Sequence, residues 1–398
     1  MTQTTEKIPD EWNETKLGDL GEFFKGSGIT KNDLVQEGVP CIRYAELYTK
    51  FNFTIPTCIS FISENTAKIA KPIQKGDLLF TGSGETKEEI GKCAVYMGHT
   101  QAYAGGDNII FRTSMAIPLY LSFFLNTLGR KQLNKLGQGD SIVHIHSSDL
   151  KNVVIPLPPL AEQEKIEEIL GTWDSAIEKL TALIAAKRLQ KKGLMQKLLT
   201  AQIRLPGFTG EWQKVKLGDF LKFQTGFPFD SQFFNQDSDG IRLVKNRDLK
   251  SDDQVYFYSG KYANTDIVEN GDILVGMDGD FLPCLWKKGM ALLNQRVGKI
   301  VCKKTLNHSF AYYILFSPLE KIQNETASTT VKHLSHSGVE KASVTIPTDI
   351  SEQKAIADVL SKADEEIDLL TRKLDLLQSQ KKGLMQQLLT GKIRVKVA

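Results

Sequence analysis

Apolar residues at Ile356, Leu360, Ala363, Ile367, Leu370, Leu374 and Leu377 advance by four and three in turn, the heptad of a coiled coil. The same stripe stands 190 residues earlier, at Ile166, Leu170, Trp173, Ile177, Leu180 and Ile184. It lapses at Lys187 and Lys191 and resumes at Leu194 and Leu198. Both stretches are charged, nearly free of glycine and without proline, so each predicts a long helix. Pro158-Pro159 stops what precedes the first, and Asp349-x-x-Glu352 reads as a capping box ahead of the second. Glu162 and Glu352 suit positive helix N-termini. Gly193 and Gly383 sit inside these helices at a cost of about 1 kcal/mol each relative to alanine. A kink, a close backbone approach or inheritance through duplication would account for them.

Elsewhere the pattern changes. Residues 108–112 and 297–301 read as strands, and residues 117–136 and 309–323 as amphipathic helices. Four segments follow: a mixed lobe over 1–156, a long helix over 157–200, a second lobe over 201–347, and a second long helix with a tail over 348–398. The segments repeat. Lys191-Lys192-Gly193-Leu194-Met195-Gln196-Lys197-Leu198-Leu199-Thr200 returns with one change at residues 381–390. Glu11-Trp12 returns as Glu211-Trp212, Lys16-Leu17-Gly18-Asp19 as residues 216–219, and Gly76-Asp77-Leu78-Leu79 as Gly271-Asp272-Ile273-Leu274. Ile142-Val143-His144-Ile145 is echoed by Val331-Lys332-His333-Leu334, Glu162-Gln163 by Glu352-Gln353, and Ile203-Arg204 by Ile393-Arg394. A period this long marks two whole modules rather than a solenoid, and so two related sites.

The expected fold is α+β. Two globular mixed α/β domains are separated by two long antiparallel coiled-coil helices, with a pseudo-two-fold internal repeat. The antiparallel sense follows from connectivity. It lets the second lobe join neighbouring helix ends, whereas a parallel pair makes that lobe span a helix of about 60 Å. The two chain termini then lie close together.

Composition narrows the class without naming a partner. Hydrophobic content of 41% and charge of 24% are ordinary for a soluble globular protein. No apolar run approaches a membrane span, and the polar first ten residues lack a signal peptide's apolar core. The expected location is cytoplasmic. Five scattered cysteines form no Cys-x-x-Cys pair, so neither a zinc site nor a disulfide framework is indicated. Net charge is +3. Residues 1–155 carry 16 basic and 17 acidic groups, and residues 201–346 carry 18 and 16. A nucleic-acid role therefore needs basic residues gathered on one face.

Candidate chemistry is sparse. Adenine methylation calls for Asp/Asn-Pro-Pro-aromatic, but the one Pro-Pro, Pro158-Pro159, is followed by Leu160. Gly82-Ser83-Gly84-Glu85-Thr86-Lys87 lacks the Gly-Lys-Ser/Thr ending of a phosphate loop and reads as a turn or a loop near DNA. His144 and His333 have no cysteine or acid at metal spacing and read as structural. Asp278-Gly279-Asp280 reads as a turn. No catalytic residue and no metal site is expected. Arg43-Tyr44-Ala45-Glu46-Leu47 aligns with Lys245-Asn246-Arg247-Asp248-Leu249, and Asn294-Gln295-Arg296, Gln101, Tyr103 and Lys87 offer similar groups. Arginine and lysine pair with guanine, and asparagine and glutamine with adenine. Singly, each reads as a solvated strand end. Together they read as DNA contacts, because two parallel lobes diverge here in base-reading types.

Both lobes lead through Pro156-Leu157-Pro158-Pro159-Leu160-Ala161-Glu162-Gln163, or through residues 347–353, into a helix that closes on residues 191–200 or 381–390. This ordered set, with Glu-Trp, Lys-Leu-Gly-Asp and Gly-Asp-apolar-apolar in each lobe, resembles the specificity subunit of type I restriction–modification enzymes over essentially the whole chain. Pro347-Thr348-Asp349-Ile350 departs from the pattern of the first linker. The resemblance implies that each lobe is a target-recognition domain reading one half of a split site in double-stranded DNA. It implies that the helix pair spaces the lobes and docks two methyltransferase subunits, and that motor–nuclease subunits complete the complex. S-adenosylmethionine, ATP and Mg would then reside on those partners, with no cofactor in this chain. The alternative is a coiled-coil scaffold whose lobes bind proteins or ligands.

Overall fold

The computed structural model describes residues 8–139, 141–326 and 332–397. The chain divides into two compact units. Unit 1 comprises Met1–Thr181 and Lys373–Ala398, and unit 2 comprises Ala182–Arg372. The division falls inside both long helices, Leu160–Leu198 and Ile350–Leu389. Each unit therefore holds a lobe, the start of one long helix and the end of the other.

In unit 1 a five-stranded sheet runs in the order Gly21–Lys25, Asn108–Thr113, Leu78–Thr81, Cys93–Tyr96, Thr54–Ile55. A second runs Leu34–Val35, Ser60–Ile62, Val39–Ile42, Ala102–Ala104, Lys71–Ile73. The central strands of the first sheet, Leu78–Thr81 and Cys93–Tyr96, are buried on both faces and so read as near-continuous apolar runs. Leu79, Ala94 and Ile110 face Ile42, Ala102 and Ala104 of the second sheet. Leu78, Phe80, Val95 and Phe111 face helix Pro118–Asn126 and the long helices. Unit 2 repeats this. Its four-stranded sheet, Leu221–Thr225, Val297–Cys302, Ile273–Gly276, Pro283–Leu285, faces Val244 and Leu293 of a five-stranded sheet on one side and Phe310, Leu315, Ile356 and Leu360 on the other.

Within each unit the long-helix segments run antiparallel. Ile166 and Leu170 share a core with Leu389, Leu388 and Met385 in unit 1, and Leu198 shares one with Ile356 and Leu360 in unit 2. Leu180, Ile184 and Ile367 are buried; Trp173, Ile177, Leu370, Leu374 and Leu377 are half-buried. The lapse in the first stripe is a pair of ionic contacts. Lys187 meets Glu366 at 2.7 Å, and Lys191 meets Asp364. Lys381, the repeat equivalent of Lys191, meets Asp174 in unit 1 and lies over Phe53 and Phe123, 4.4 and 5.1 Å from the ring centres. Burial lowers the Lys381 pKa, and Asp174 works against that shift.

Three expectations need correcting, and one of the alternatives for the helix glycines falls away. The helix expected over 117–136 is two, Pro118–Asn126 and Arg130–Leu136, broken at Thr127 where ψ is −90°. The first is not amphipathic, because residues 119–125 are all buried between sheet and long helix. The helix expected over 309–323 is His308–Ile314 followed by Phe316–Glu325. Pro318 has no N–H for the carbonyl of Ile314, and so it sits in the first turn of a new helix. Asp349 accepts from Ser351 N at 2.7 Å, but Glu352 completes no capping box and turns to Arg204 and Trp212. A Cβ at Gly193 or Gly383 would meet nothing within 4 Å, so close packing does not explain either glycine.

Candidate nucleic-acid interface

Most of the repeated motifs build the scaffold, not the site. In unit 1, Glu162 is 2% exposed and accepts from Trp12 Nε1 at 3.1 Å and from Arg394 Nε and Nη2 at 2.7 and 2.8 Å. In unit 2, Glu352 accepts from Trp212 Nε1 at 3.3 Å and from Arg204 Nε and Nη2 at 2.6 and 2.8 Å. The Glu-Trp, Glu-Gln and Ile-Arg motifs are thus one clamp made twice. The neighbouring glutamines staple the helix starts to their lobes. Gln163 accepts from Ile117 N and donates to Pro158 O, and Gln353 accepts from Asn307 N and donates to Pro347 O. The Gly-Asp motif places an aspartate that caps its own turn, at Gln74 N or Glu269 N, and pairs with a base on the adjoining strand. That base is Arg112 for Asp77 and Lys299 for Asp272.

With the scaffold satisfied internally, part of the divergent polar set gathers at one end of the paired sheets. In unit 2 that end is made of residues 226–229, 245–247, 277–280, 294–296 and 332–334. Phe227 N donates to Leu293 O, Gly226 N to Val297 O, Asn294 N to Val244 O, Met277 N to Arg296 O and Leu334 N to Met277 O. Gly226 is required here, since a Cβ would stand 2.2 Å from Asn294 O. Phe227 is 51% exposed. Unit 1 builds the same end. Ser27 N donates to Ala104 O, Gly26 N to Asn108 O, Gly82 N to Asp107 O, Gly105 N to Ile42 O and Ile145 N to Gly82 O. A cleft of about 200 Å³ opens there, with Lys25, Ser83, Asp107, Asn108, His144 and His146 in its wall.

The candidates divide on this geometry. Asn246, Asn294, Gln295 and Arg296 come together at the loop end. Asn246 Nδ2 donates to Asp278 O at 2.8 Å, Gln295 is exposed, and Arg296 approaches Asp278. Arg43 and Lys245 occupy equivalent helix N-cap positions, each followed three residues on by a buried acid that accepts the cap N–H. Arg43 Nε also donates to Glu46 at 3.2 Å. Lys245 Nζ lies 3.3 Å from the Tyr256 ring centre, and burial, with Arg247 nearby, lowers its pKa. Arg247 donates to the Gln254 side chain and carbonyl, and Tyr44 is half-buried beside Tyr48. Gln101 and Tyr103 lie along Ala102–Ala104, with Gln101 at the far end from Gly105 and donating to Ile73 O. Lys87 stands alone on an exposed turn.

Residue-type reading missed Lys25 and Phe227, and it assigned Ser83, Asp278 and both histidines to turns and structure. The one available signal was the repeated histidine. Residues 82–87 are no phosphate loop: Ser83–Gly84 pairs with Val143–His144, and the Glu85 and Thr86 N–H groups donate to Glu89. Asp280 pairs with Lys250. Among the described residues no group of three or more His, Cys, Asp and Glu is placed to hold a metal. None of their helices is long and apolar enough to cross a membrane. Val331 lies outside the described residues.

Comparison with known proteins accounts for the doubled scaffold. The chain is 27% identical to a putative type I restriction enzyme specificity subunit (MjaX) of Methanocaldococcus jannaschii, over 98% of this chain and 95% of that one. It is 26% identical to the MjaVIII specificity subunit of the same organism, with the same coverage. The solved S subunit of a type I restriction–modification system from M. genitalium has the same fold, with a TM-score of 0.64 at 16% identity, covering 97% of this chain and 98% of that one. The type I restriction modification DNA specificity domain matches twice, over residues 9–188 and 209–379, each match running from a lobe into a long helix. Duplicated in scaffold and divergent at its loop ends, the chain belongs to the type I restriction–modification DNA specificity family.

Proposed function

We propose that the chain is the sequence-specific DNA-binding specificity subunit of a type I restriction–modification complex. Each unit reads one half of a bipartite site in double-stranded DNA. The long helices set the spacing and dock two methyltransferase subunits, and motor–nuclease subunits complete the assembly. The chain itself performs no chemistry. S-adenosylmethionine serves the methyltransferase subunits, and ATP with Mg serves the motor, all in the cytoplasm.

The observation that carries this reading is the pairing of one satisfied scaffold with two different polar loop ends. Groups that read bases must vary between half-sites, whereas groups that position a domain need not. The test is methylation sequencing of genomic DNA from a methylation-free host that expresses the chain with its methyltransferase subunit. A bipartite adenine-methylated motif that vanishes without the chain supports the reading. A complex that neither retards duplex DNA nor directs methylation makes the chain a scaffold.

A further inference from the structure

One histidine per unit holds the same place, with its backbone in a short ladder and its side chain outside the core. His144 and His333 each lead into the residue whose N–H, at Ile145 or Leu334, donates to the strand that follows the Gly-Asp motif, at Gly82 O or Met277 O. Both rings are exposed at the loop end rather than packed in a core. In unit 2, His333 Nδ1 lies 2.9 Å from Asp278 Oδ1. Arg296 Nη1 lies 3.5 Å from the same oxygen and 3.2 Å from His333 Nδ1. A guanidinium has only donors, so Nδ1–H donating to the carboxylate excludes a hydrogen bond from Arg296 to that nitrogen. Asp278 organises both groups. The acid is itself held, since its carbonyl accepts from Asn246 Nδ2 and Gly279 N donates to Lys332 O. With Nδ1 committed, Nε2 is the ring nitrogen left for a partner. The Arg296 side chain is 55% exposed and His333 47%.

In unit 1 the partner differs. His144 Nδ1 lies 2.9 Å from Ser83 Oγ, and Ser83 is 5% exposed. The ring borders the cleft that holds Lys25 and Asp107. The position is repeated while the chemistry around it is not, as expected of a group that distinguishes two half-sites.

We propose that His333, oriented by Asp278 beside Arg296, is a specificity-determining contact of unit 2 with a base edge, and that His144 with Ser83 holds the equivalent position in unit 1. The inference rests on the DNA-binding reading above. A neutral imidazole fixed through Nδ1 presents an acceptor that fits the exocyclic amine of adenine or cytosine, and the adjacent guanidinium fits guanine O6 and N7. Orientation by a carboxylate removes the ordering cost a free side chain incurs on binding.

The test uses the chain with its methyltransferase subunit on genomic DNA from a methylation-free host, comparing wild type with His333→Ala, His333→Gln, Asp278→Asn and His144→Ala. Thermal melting of each variant confirms folding. His333→Ala should lower discrimination at one base pair of one half-site by roughly five- to hundredfold and leave the other half-site unchanged. Asp278→Asn should weaken the same base pair less, and His144→Ala should affect the opposite half-site. His333→Gln, which keeps an amide acceptor, should retain part of the preference. An unchanged sequence profile in folded His333→Ala and His333→Gln overturns the inference, and so does a uniform loss at all sequences, the mark of a phosphate contact. A wild-type complex with no bipartite site overturns the underlying reading and this inference with it.

Discussion

Replacing Arg394 by alanine removes the cation from a carboxylate that stays behind in the interior. Glu162 is 2% exposed, and Arg394 donates to it through Nε and Nη2, at 2.7 and 2.8 Å. Hydrogen bonds to charged groups contribute about 1.5–3 kcal/mol each, which bounds the pair at about 6 kcal/mol. The Arg394 side chain is 37% exposed, so water reaches part of the space it leaves, and Trp12 Nε1 still donates to the acid. A loss of about 3 kcal/mol follows, at the lower end for breaking a buried pair. Arg394→Lys keeps the charge without the two-pronged geometry and should lose about half as much. Glu11, the second acid on Arg394, has a side chain 72% exposed, and Glu11→Ala should cost under about 1 kcal/mol. Urea unfolding combined with segment-resolved hydrogen exchange reads these losses. Arg394→Ala should loosen unit 1 and spare unit 2, and Arg204→Ala should do the reverse. The double variant Glu162→Gln/Arg394→Ala should cost less than the sum of its parts, because no orphan charge remains. A loss below about 1 kcal/mol for Arg394→Ala, or one shared equally by both units, would refute the clamp.

Gly193→Ala and Gly383→Ala should each raise stability by about 1 kcal/mol in urea titration, since an added Cβ meets open space; an unchanged midpoint would mean that the helix is strained there. Lys381→Ala should cost about 2–3 kcal/mol and Lys187→Ala under about 1, because the Lys381 side chain is 6% exposed and that of Lys187 30%; equal losses would contradict the burial argument. Exchanging residues 1–156 for the lobe of a relative should alter one half of the methylated motif and leave the other, and a change in both halves would sink the modular reading. Burial pushes the Cys41 and Cys93 thiols up to about 12, and Cys58 and Cys302 up to about 11. All four should therefore resist a thiolate-selective disulfide reagent at pH 8 until denaturant is added, and labelling within minutes would contradict this.

The heptads made the long helices legible because a 3.5-residue period survives any tertiary context that buries one stripe. Their polar interruptions were not legible. Lys187 and Lys191 look like breaks until Glu366 and Asp364 are seen beside them. The same limit applies to Glu352, whose spacing from Asp349 fits a capping box but whose partners, Arg204 and Trp212, are 148 and 140 residues away in sequence. Periodicity also failed for residues 119–125, which are buried on every side and so carry no amphipathic signal. At the site, residue chemistry singled out Asn246 and Asn294-Gln295-Arg296, which the fold brings together. It equally singled out Arg43 and Arg247, whose guanidinium groups are held by Glu46 and Gln254. Composition cannot distinguish a free guanidinium from a tethered one.

The closing of unit 1 bears on the order in which the chain acquires structure during synthesis. Its core includes Met385, Leu388 and Leu389, and Arg394 reaches back 383 positions to Glu11. The earlier of the two lobes therefore lacks one wall until residues 385–394 emerge. At the usual elongation rate this leaves Ile166, Leu170 and their neighbours uncovered for roughly 10–40 s. Unit 2 is contiguous from Ala182 to Arg372, so it has all its residues once Arg372 is made. A chain released after Arg372 would hold all of the second unit and an open first one. The unit begun earlier is thus the one longer exposed to chaperones and proteases, and only termination between Arg372 and Met385 would spare its sister.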